Sequence, residues 1–163
     1  MSYSYDNPDD ITPHFNSLRE KIAWEKKRRQ TEQQAWSELL GEAHKMSMVA
    51  GEITTPDTMV VTTMGGREIE RIDDGVCGFA WVTFYPAKGG ASRRFANWVT
   101  GKTDSMYPSP IKGEFSSYGS GVRISVPYFN QSMQRKENYA SHLAGILSRM
   151  FPDAKAYSQS RMD

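Results

Sequence analysis

Val76 to Tyr85 reads VCGFAWVTFY, closed by Pro86, and no other stretch of the chain is as hydrophobic. Phe79, Trp81, Val82, Phe84 and Tyr85 run almost without interruption, a pattern that suits a central strand covered on both faces. Immediately before it, TMVVTTM and REIERI (Thr58 to Ile72) flank Gly65-Gly66. Two β-rich runs around a dipeptide that tolerates positive φ predict a β-hairpin, and Asp73-Asp74-Gly75 adds a second turn. Immediately after it, Lys88-Gly89-Gly90 turns the chain into a short amphipathic helix over about Ser92 to Val99. Phe95, Trp98 and Val99 mark its apolar side, and Gly101 is its C′ residue.

Further on, Lys102 to Gly121 is a stretch of twenty residues with Pro108, Pro110, Gly113, Gly119, Gly121 and three aromatics, Tyr107, Phe115 and Tyr118. Loops of that length inside compact domains are functional or partly disordered. Within it, Lys112 to Tyr118 has the alternative character of a short edge strand. VRISVPYF (Val122 to Phe129) alternates, with Val122, Ile124 and Val126 on one side and Arg123 and Ser125 on the other, and predicts a strand. Asn130 or Ser132 caps a last helix over Met133 to Met150, whose core stripe is Met133, Ala140, Leu143, Ala144, Leu147 and Met150. Phe151-Pro152-Asp153 stops that helix, and Ala154 to Ser158 is expected to add a final short strand.

Toward the N-terminus the pattern becomes helical. Ser17 with Glu20 makes a capping box, and a helix is predicted from there to about Met48, with Gly51 to Pro56 expected to break it. Leu18 and Ile22 form one apolar pair; Trp36, Leu39, Leu40, Ala43 and Met46 form a second stripe. Between them lie EKKRRQTEQQ, ten residues (Glu25 to Gln34) without an apolar side chain. A helix that is polar all round either bridges solvent or contacts a polar partner. The segment MSYSYDNPDDITP before it has no hydrophobic period and reads as a polar, extended lead-in.

The expected fold class is α+β: a long N-terminal helix, then a mixed or antiparallel sheet of about four to five strands with two further helices packed on it. Three regions follow, a lead-in over 1–15, a helical arm over 16–50 and an α+β globular domain over 51–163.

Composition bounds the chemistry. The 163 residues carry 20 Lys+Arg against 19 Asp+Glu, a formal net charge of +1, and a single cysteine. A near-neutral total argues against a surface built wholly for nucleic acid or anionic lipid, though local basic patches stay open. One cysteine excludes an intramolecular disulfide, a four-cysteine zinc site and a CxxC motif. No run approaches the roughly 18 apolar residues of a membrane span, and the first 30 residues lack the apolar core of a secretory signal.

No arrangement of catalytic residues stands out. His14, His44 and His142 are not spaced as metal ligands in any recognised pattern, and structural or exposed histidines are the ordinary explanation. Cys77 opens the most apolar strand, where a small buried hydrophobe is commoner than a nucleophile. Glu68, Glu70, Asp73 and Asp74 have the makings of a Mg²⁺ cluster, but beside Arg67 and Arg71 they look like a solvated strand and turn. The glycine pairs match no phosphate-loop motif. Lys88-Gly89-Gly90 before a helix offers N–H groups to an anion. Arg93 and Arg94 in that first turn oppose the helix dipole, which an anion or an acidic partner would explain.

The candidate binding residues are of two kinds. A basic surface is assembled from Lys26, Lys27, Arg28, Arg29, Arg93, Arg94 and Arg123. Aromatics nearby in sequence (Trp24, Phe95, Trp98, Tyr128, Tyr139) leave room for stacking beside phosphate contacts. Tyr107, Phe115 and Tyr118 make an aromatic loop. Neither catalytic residues, nor a metal site, nor a cofactor are expected.

CGFAWV (Cys77 to Val82), NQSMQRKENYA (Asn130 to Ala140) and AYSQSRMD (Ala156 to Asp163) resemble a family of short proteins of unknown function encoded by tailed bacteriophages. The resemblance covers about half the chain and implies a viral setting in a bacterial host. With the polar lead-in, the coreless middle of the first helix and the aromatic loop, it leads to an expected function. That function is non-enzymatic protein–protein contact, as a small accessory virion (head or neck) protein in the host cytoplasm or the particle. Its partners would be other phage proteins or copies of itself, with no membrane. A nucleic-acid-associated phage factor using the basic patches is the alternative, and a small enzyme acting on an anionic substrate is third.

Overall fold

Alternation along the central strand decides how the layers stack. Ala80, Val82 and Phe84 are buried, whereas Phe79 and Tyr85 are exposed and Trp81 and Thr83 half-buried. The expected cover on both faces is therefore absent from one of them. A single buried cluster takes Ala80, Val82 and Phe84 together with residues from three helices, so all the helical cover lies on one side.

The computed structural model describes residues 13–117 and 121–163. Most of the lead-in, and Tyr118 of the aromatic loop, lie outside them. The elements in order are α1 (Leu18–Glu52), β1 (Met59–Thr62), β2 (Glu68–Ile72), β3 (Gly78–Tyr85), α2 (Ala91–Val99), β4 (Glu114–Phe115), β5 (Val122–Ser125), α3 (Met133–Met150) and β6 (Lys155–Met162). The fold is α+β, as expected. Its strands form two antiparallel sheets: the β1–β2 hairpin by itself, and a four-stranded sheet in the order β4-β5-β3-β6.

The start of α1 follows from its cap. Ser17 Oγ accepts from the Glu20 amide at 3.2 Å, and the Glu20 carboxylate accepts from the Asn16 amide at 2.8 Å, so two otherwise orphaned donors are satisfied. The buried stripe of α1 is Gln33, Trp36, Leu40, Ala43, Ser47 and Gly51. Leu39 and Met46, expected in that stripe, are about half exposed. Gly51, expected to break the helix, is instead inside it. A Cβ there would sit under 3.0 Å from three atoms of the Phe129 ring, so glycine is the residue that lets α1 pass this ring.

The polar middle of α1 does have a polar partner, and it belongs to the same chain. Ser105 Oγ donates to Gln33 Oε1 (2.7 Å), and Ser37 Oγ donates to the Pro108 carbonyl (3.3 Å). The long loop is also pinned to α2, where Trp98 Nε1–H donates to the Tyr107 carbonyl (2.7 Å) and the Gly113 amide to the Val99 carbonyl (3.0 Å).

Two strand lengths differ from expectation. β5 ends at Ser125 rather than Phe129, because Pro127 has no N–H to donate and Phe129 and Asn130 turn the chain at positive φ. β6 is longer than expected: all eight residues pair with β3, from Tyr85↔Lys155 to Gly78↔Met162. Backbone pairing with the long β3 edge does not require apolar side chains, and β6 has few. On α3, Lys136 and Tyr139 join the expected stripe below the surface.

Tyr139 is buried with its hydroxyl 2.7 Å from His44 Nδ1. Burial, and secondarily Tyr128, raise its pKa far above the ordinary tyrosine value.

Two stability outcomes are expected. Gly51→Ala should cost about 1–3 kcal/mol through overpacking against Phe129, read as a fall of several degrees in Tm. Tyr139 keeps its proton in the folded state at pH values where the unfolded chain loses it. Its contribution is therefore intact below about pH 10 and declines above that. Urea unfolding between pH 8 and 11 should show a steeper alkaline loss for wild type than for Tyr139→Phe, by up to about 1.4 kcal/mol per pH unit.

Candidate functional site

The uncovered side of the four-stranded sheet is the most chemically organised surface of the molecule. Alternate residues of β3 place Phe79, Trp81, Thr83 and Tyr85 on it. Register supplies their neighbours: Arg161 opposite Phe79, Gln159 and Ser125 opposite Trp81, Tyr157 and Arg123 opposite Thr83, Lys155 opposite Tyr85. Glu114 of β4, opposite Arg123, shares the same face.

These side chains hold one another in place. The Arg123 guanidinium lies 4.1 Å from the centroid of the Trp81 ring, close enough for a stacked cation–π contact. Arg161 lies 5.5 Å from the Phe79 ring. Tyr85 and Tyr157 meet edge-on with centroids 6.4 Å apart. Gln159 Oε1 accepts from both Trp81 Nε1–H (3.0 Å) and Thr83 Oγ1 (2.6 Å). That double acceptance orients the amide, so its NH₂ group points away from both and is uncommitted among the described residues. Gly121 makes room at the edge, since a Cβ there would meet the Tyr85 ring at 2.8 Å.

The expected basic surface is not one surface. Arg123 stands on the open sheet face. Arg28, Arg29 and Arg94 come together on the helical side, where with Glu25 and Glu32 they line a cavity of about 210 Å³. Their charges are largely answered within the chain. Arg94 Nη2 and Nε donate to the two Glu32 carboxylate oxygens at 2.8 and 3.0 Å, and Arg29 pairs with Glu25 at 3.8 Å. Arg28 lies 5.3 Å from the Trp24 ring centroid. Arg93 Nε donates to the Ala87 carbonyl at 3.3 Å. The acidic partner that two arginines in a first turn call for is thus Glu32, carried by α1. Lys26 and Lys27 are exposed on α1, Lys26 bordering a cavity between the helix and Thr103 to Met106.

The aromatics proposed to stack beside these cations are mostly interior. Phe95, Trp98 and Tyr139 are buried, and Tyr128 is half-buried against His44. In the aromatic loop, Tyr107 is half-buried and Phe115 sits on β4 with Lys102 5.7 Å from its ring.

Of the other candidates, Cys77 is half-buried and bridges to Ser132 through its backbone. Glu68 is engaged by Arg71 at 3.3 Å. Among the described residues no group of three His, Cys, Asp or Glu side chains is placed to hold a metal ion. Nor, among them, is any helix long and apolar enough to cross a membrane.

Phe79, Trp81, Tyr85, Tyr157, Lys155, Gln159 and Arg161 were not among the binding residues expected from sequence, which placed Phe79, Trp81 and Tyr85 in a strand covered on both faces. The signal that would have found them lies in β6. One face of its alternation reads Lys155, Tyr157, Gln159 and Arg161, which is too polar to lie under a second helical layer.

A second exposed feature is the β1–β2 hairpin. Among the described residues its strands pair only with each other, and every residue from Val60 to Arg71 is exposed, including Val60, Val61, Met64 and Ile69.

No protein-family model, curated protein or solved structure matches the chain.

Arg94 and Glu32 should behave as a structural pair. In a double-mutant cycle of Arg94→Ala and Glu32→Ala, thermal or urea unfolding should show a coupling of about 1 kcal/mol that shrinks in 1 M salt. A coupling near zero would return Arg94 to the list of cations available to a ligand.

Proposed function

We propose that the chain is a non-enzymatic accessory protein of a tailed bacteriophage that works by protein–protein contact, with the β1–β2 hairpin as its contact element. The carrying observation is the hairpin's complete exposure. A two-stranded ribbon is marginal alone in water, because it has no third strand or helix to take its apolar side chains. Here Val60 and Val61 lie on opposite faces, Ile69 is the extra residue of a bulge on the facing strand, and all three are open to solvent. Among the described residues no further strand pairs with either outer edge, and such edges are the ordinary substrate of strand addition by a neighbour.

The partner is a neighbouring subunit of the particle, either another phage protein or a second copy of this chain. The phage setting rests on the resemblance carried by Cys77 to Val82, Asn130 to Ala140 and Ala156 to Asp163.

Mass spectrometry of purified virions of the encoding phage should detect the chain. Val60→Glu combined with Ile69→Glu should lower its incorporation at least tenfold, since each loses about 1.5–3 kcal/mol of apolar burial in the complex. Absence from the particle, together with a monomeric mass in solution for wild type, would overturn the assignment.

A further inference from the structure

We propose that the open face of the four-stranded sheet binds single-stranded nucleic acid, with bases stacking on β3 and its neighbours and phosphates held by Arg123, Arg161 and Lys155. This is a second surface, and the proposal stands or falls independently of the hairpin.

Three properties of the face point to that ligand. The first is aromatic area presented outward. Phe79 and Tyr85 on β3 and Tyr157 on β6 remain about 40–51% exposed, although each is large and apolar enough to favour the core. A π-face accepts any base, which is why sheets with exposed aromatics serve as stacking platforms.

Second, the spacing suits a single strand. Side chains on one face recur every ~6.6 Å along a strand, about twice the 3.4 Å rise of stacked bases in a duplex strand. A splayed single strand can match that repeat, whereas a duplex keeps its bases stacked inside and offers the rings no base face. From Phe79 to Tyr85 the face spans about 20 Å, room for three or four nucleotides.

Third, the charge and the hydrogen-bonding groups are complementary. Arg123, Arg161 and Lys155 stand against Glu114 and, one step beyond the last β3–β6 pair, Asp163, whose amide donates to the Cys77 carbonyl. Arg123 is already held 4.1 Å over the Trp81 ring, and a guanidinium so placed can take a base on its plane while its edge N–H groups reach a phosphate. The Gln159 amide, turned outward by its bonds to Trp81 and Thr83, supplies donors to a base edge. A partner protein would find aromatics here too, but the three cations flank the rings while Glu114 and Asp163 sit at opposite margins, an arrangement that favours a polyanion along the middle of the face.

The test is fluorescence anisotropy of the full chain with labelled dT12, rU12 and a 12-base-pair duplex. Single strands should bind at 50 mM salt and the duplex at least tenfold more weakly. Comparison of dT12 with rU12 tells DNA from RNA. Three phosphate contacts predict a slope of log K against log salt near −2, or roughly twentyfold weaker binding at 200 mM than at 50 mM.

Tyr85→Ala and Arg161→Ala should each weaken binding about tenfold with an unchanged melting temperature. Trp81→Phe keeps a ring for packing. It should retain most of the affinity and remove the quenching of tryptophan fluorescence that accompanies binding. Lys26→Glu with Lys27→Glu, on the helical side, should leave binding within twofold.

Equal affinity for duplex and single strands would overturn the proposal, as would loss of binding on the Lys26/Lys27 change. So would the absence of binding to either oligonucleotide at 50 mM salt, including the case in which the face proves to be covered by a second copy or another protein.

Discussion

Phe95 sits at the point where four elements of this protein meet, and its burial is the constraint from which the rest of the architecture follows. Its ring lies 4.7 Å from Phe151 at the end of α3, 5.5 Å from Trp36 of α1, 5.5 Å from Phe84 of β3 and 5.8 Å from Trp98 beside it on α2. Phe84 and Phe151 also touch each other, as do Trp36 and Trp98. Such tilted and edge-on pairs contribute beyond their buried area. They gather α1, α2 and α3 over one face of β3. A helical layer centred there commits the aromatic residues available for packing to one side of the sheet.

The other side is left with whatever alternation puts there. Because Ala80, Val82 and Phe84 face the helices, Phe79, Trp81 and Tyr85 must face away. β3 is hydrophobic on both faces, but only one has a layer to meet it. The exposed rings are accommodated by cations and polar groups from β5 and β6, which dock on them without covering them. Stacked aromatics, arginines and an oriented amide on a rigid sheet form a preorganised surface. The hairpin is a different kind of exposure. It lies outside the four-stranded sheet, and its edges rather than one face are what it offers.

Much of the helical pattern was legible in the chain because it depends on neighbours within two turns. The Ser17–Glu20 cap, the α3 stripe through Leu143 and Leu147, and the stop of α2 with Gly101 at φ +78 all obey such short-range rules. Long-range facts were not legible in the same way. Gly51 read as a breaker because glycine destabilises a helix in isolation, and its value appears only when Phe129 arrives beside it. Whether the polar middle of α1 bridges solvent or meets a polar partner was open in the sequence because Ser105 and Pro108 are about seventy residues away. Arg28, Arg29 and Arg94 looked like a ligand surface because Glu32 was not yet opposite Arg94.

The amino-acid order alone was enough to specify which segments become helix, hairpin and strand, since propensity, period and capping act over a few residues. It also specified an α+β class and a chain with one cysteine and almost no net charge. The folded chain was needed to choose which face of VCGFAWVTFY would be covered. That choice depends on three helices distributed over more than a hundred residues converging on one side. It also paired Trp81 with Gln159, 78 positions apart, and Thr83 with Arg123. Register between distant strands is set by the packing of the whole layer, and it is this register that turns separate aromatic and basic residues into one surface.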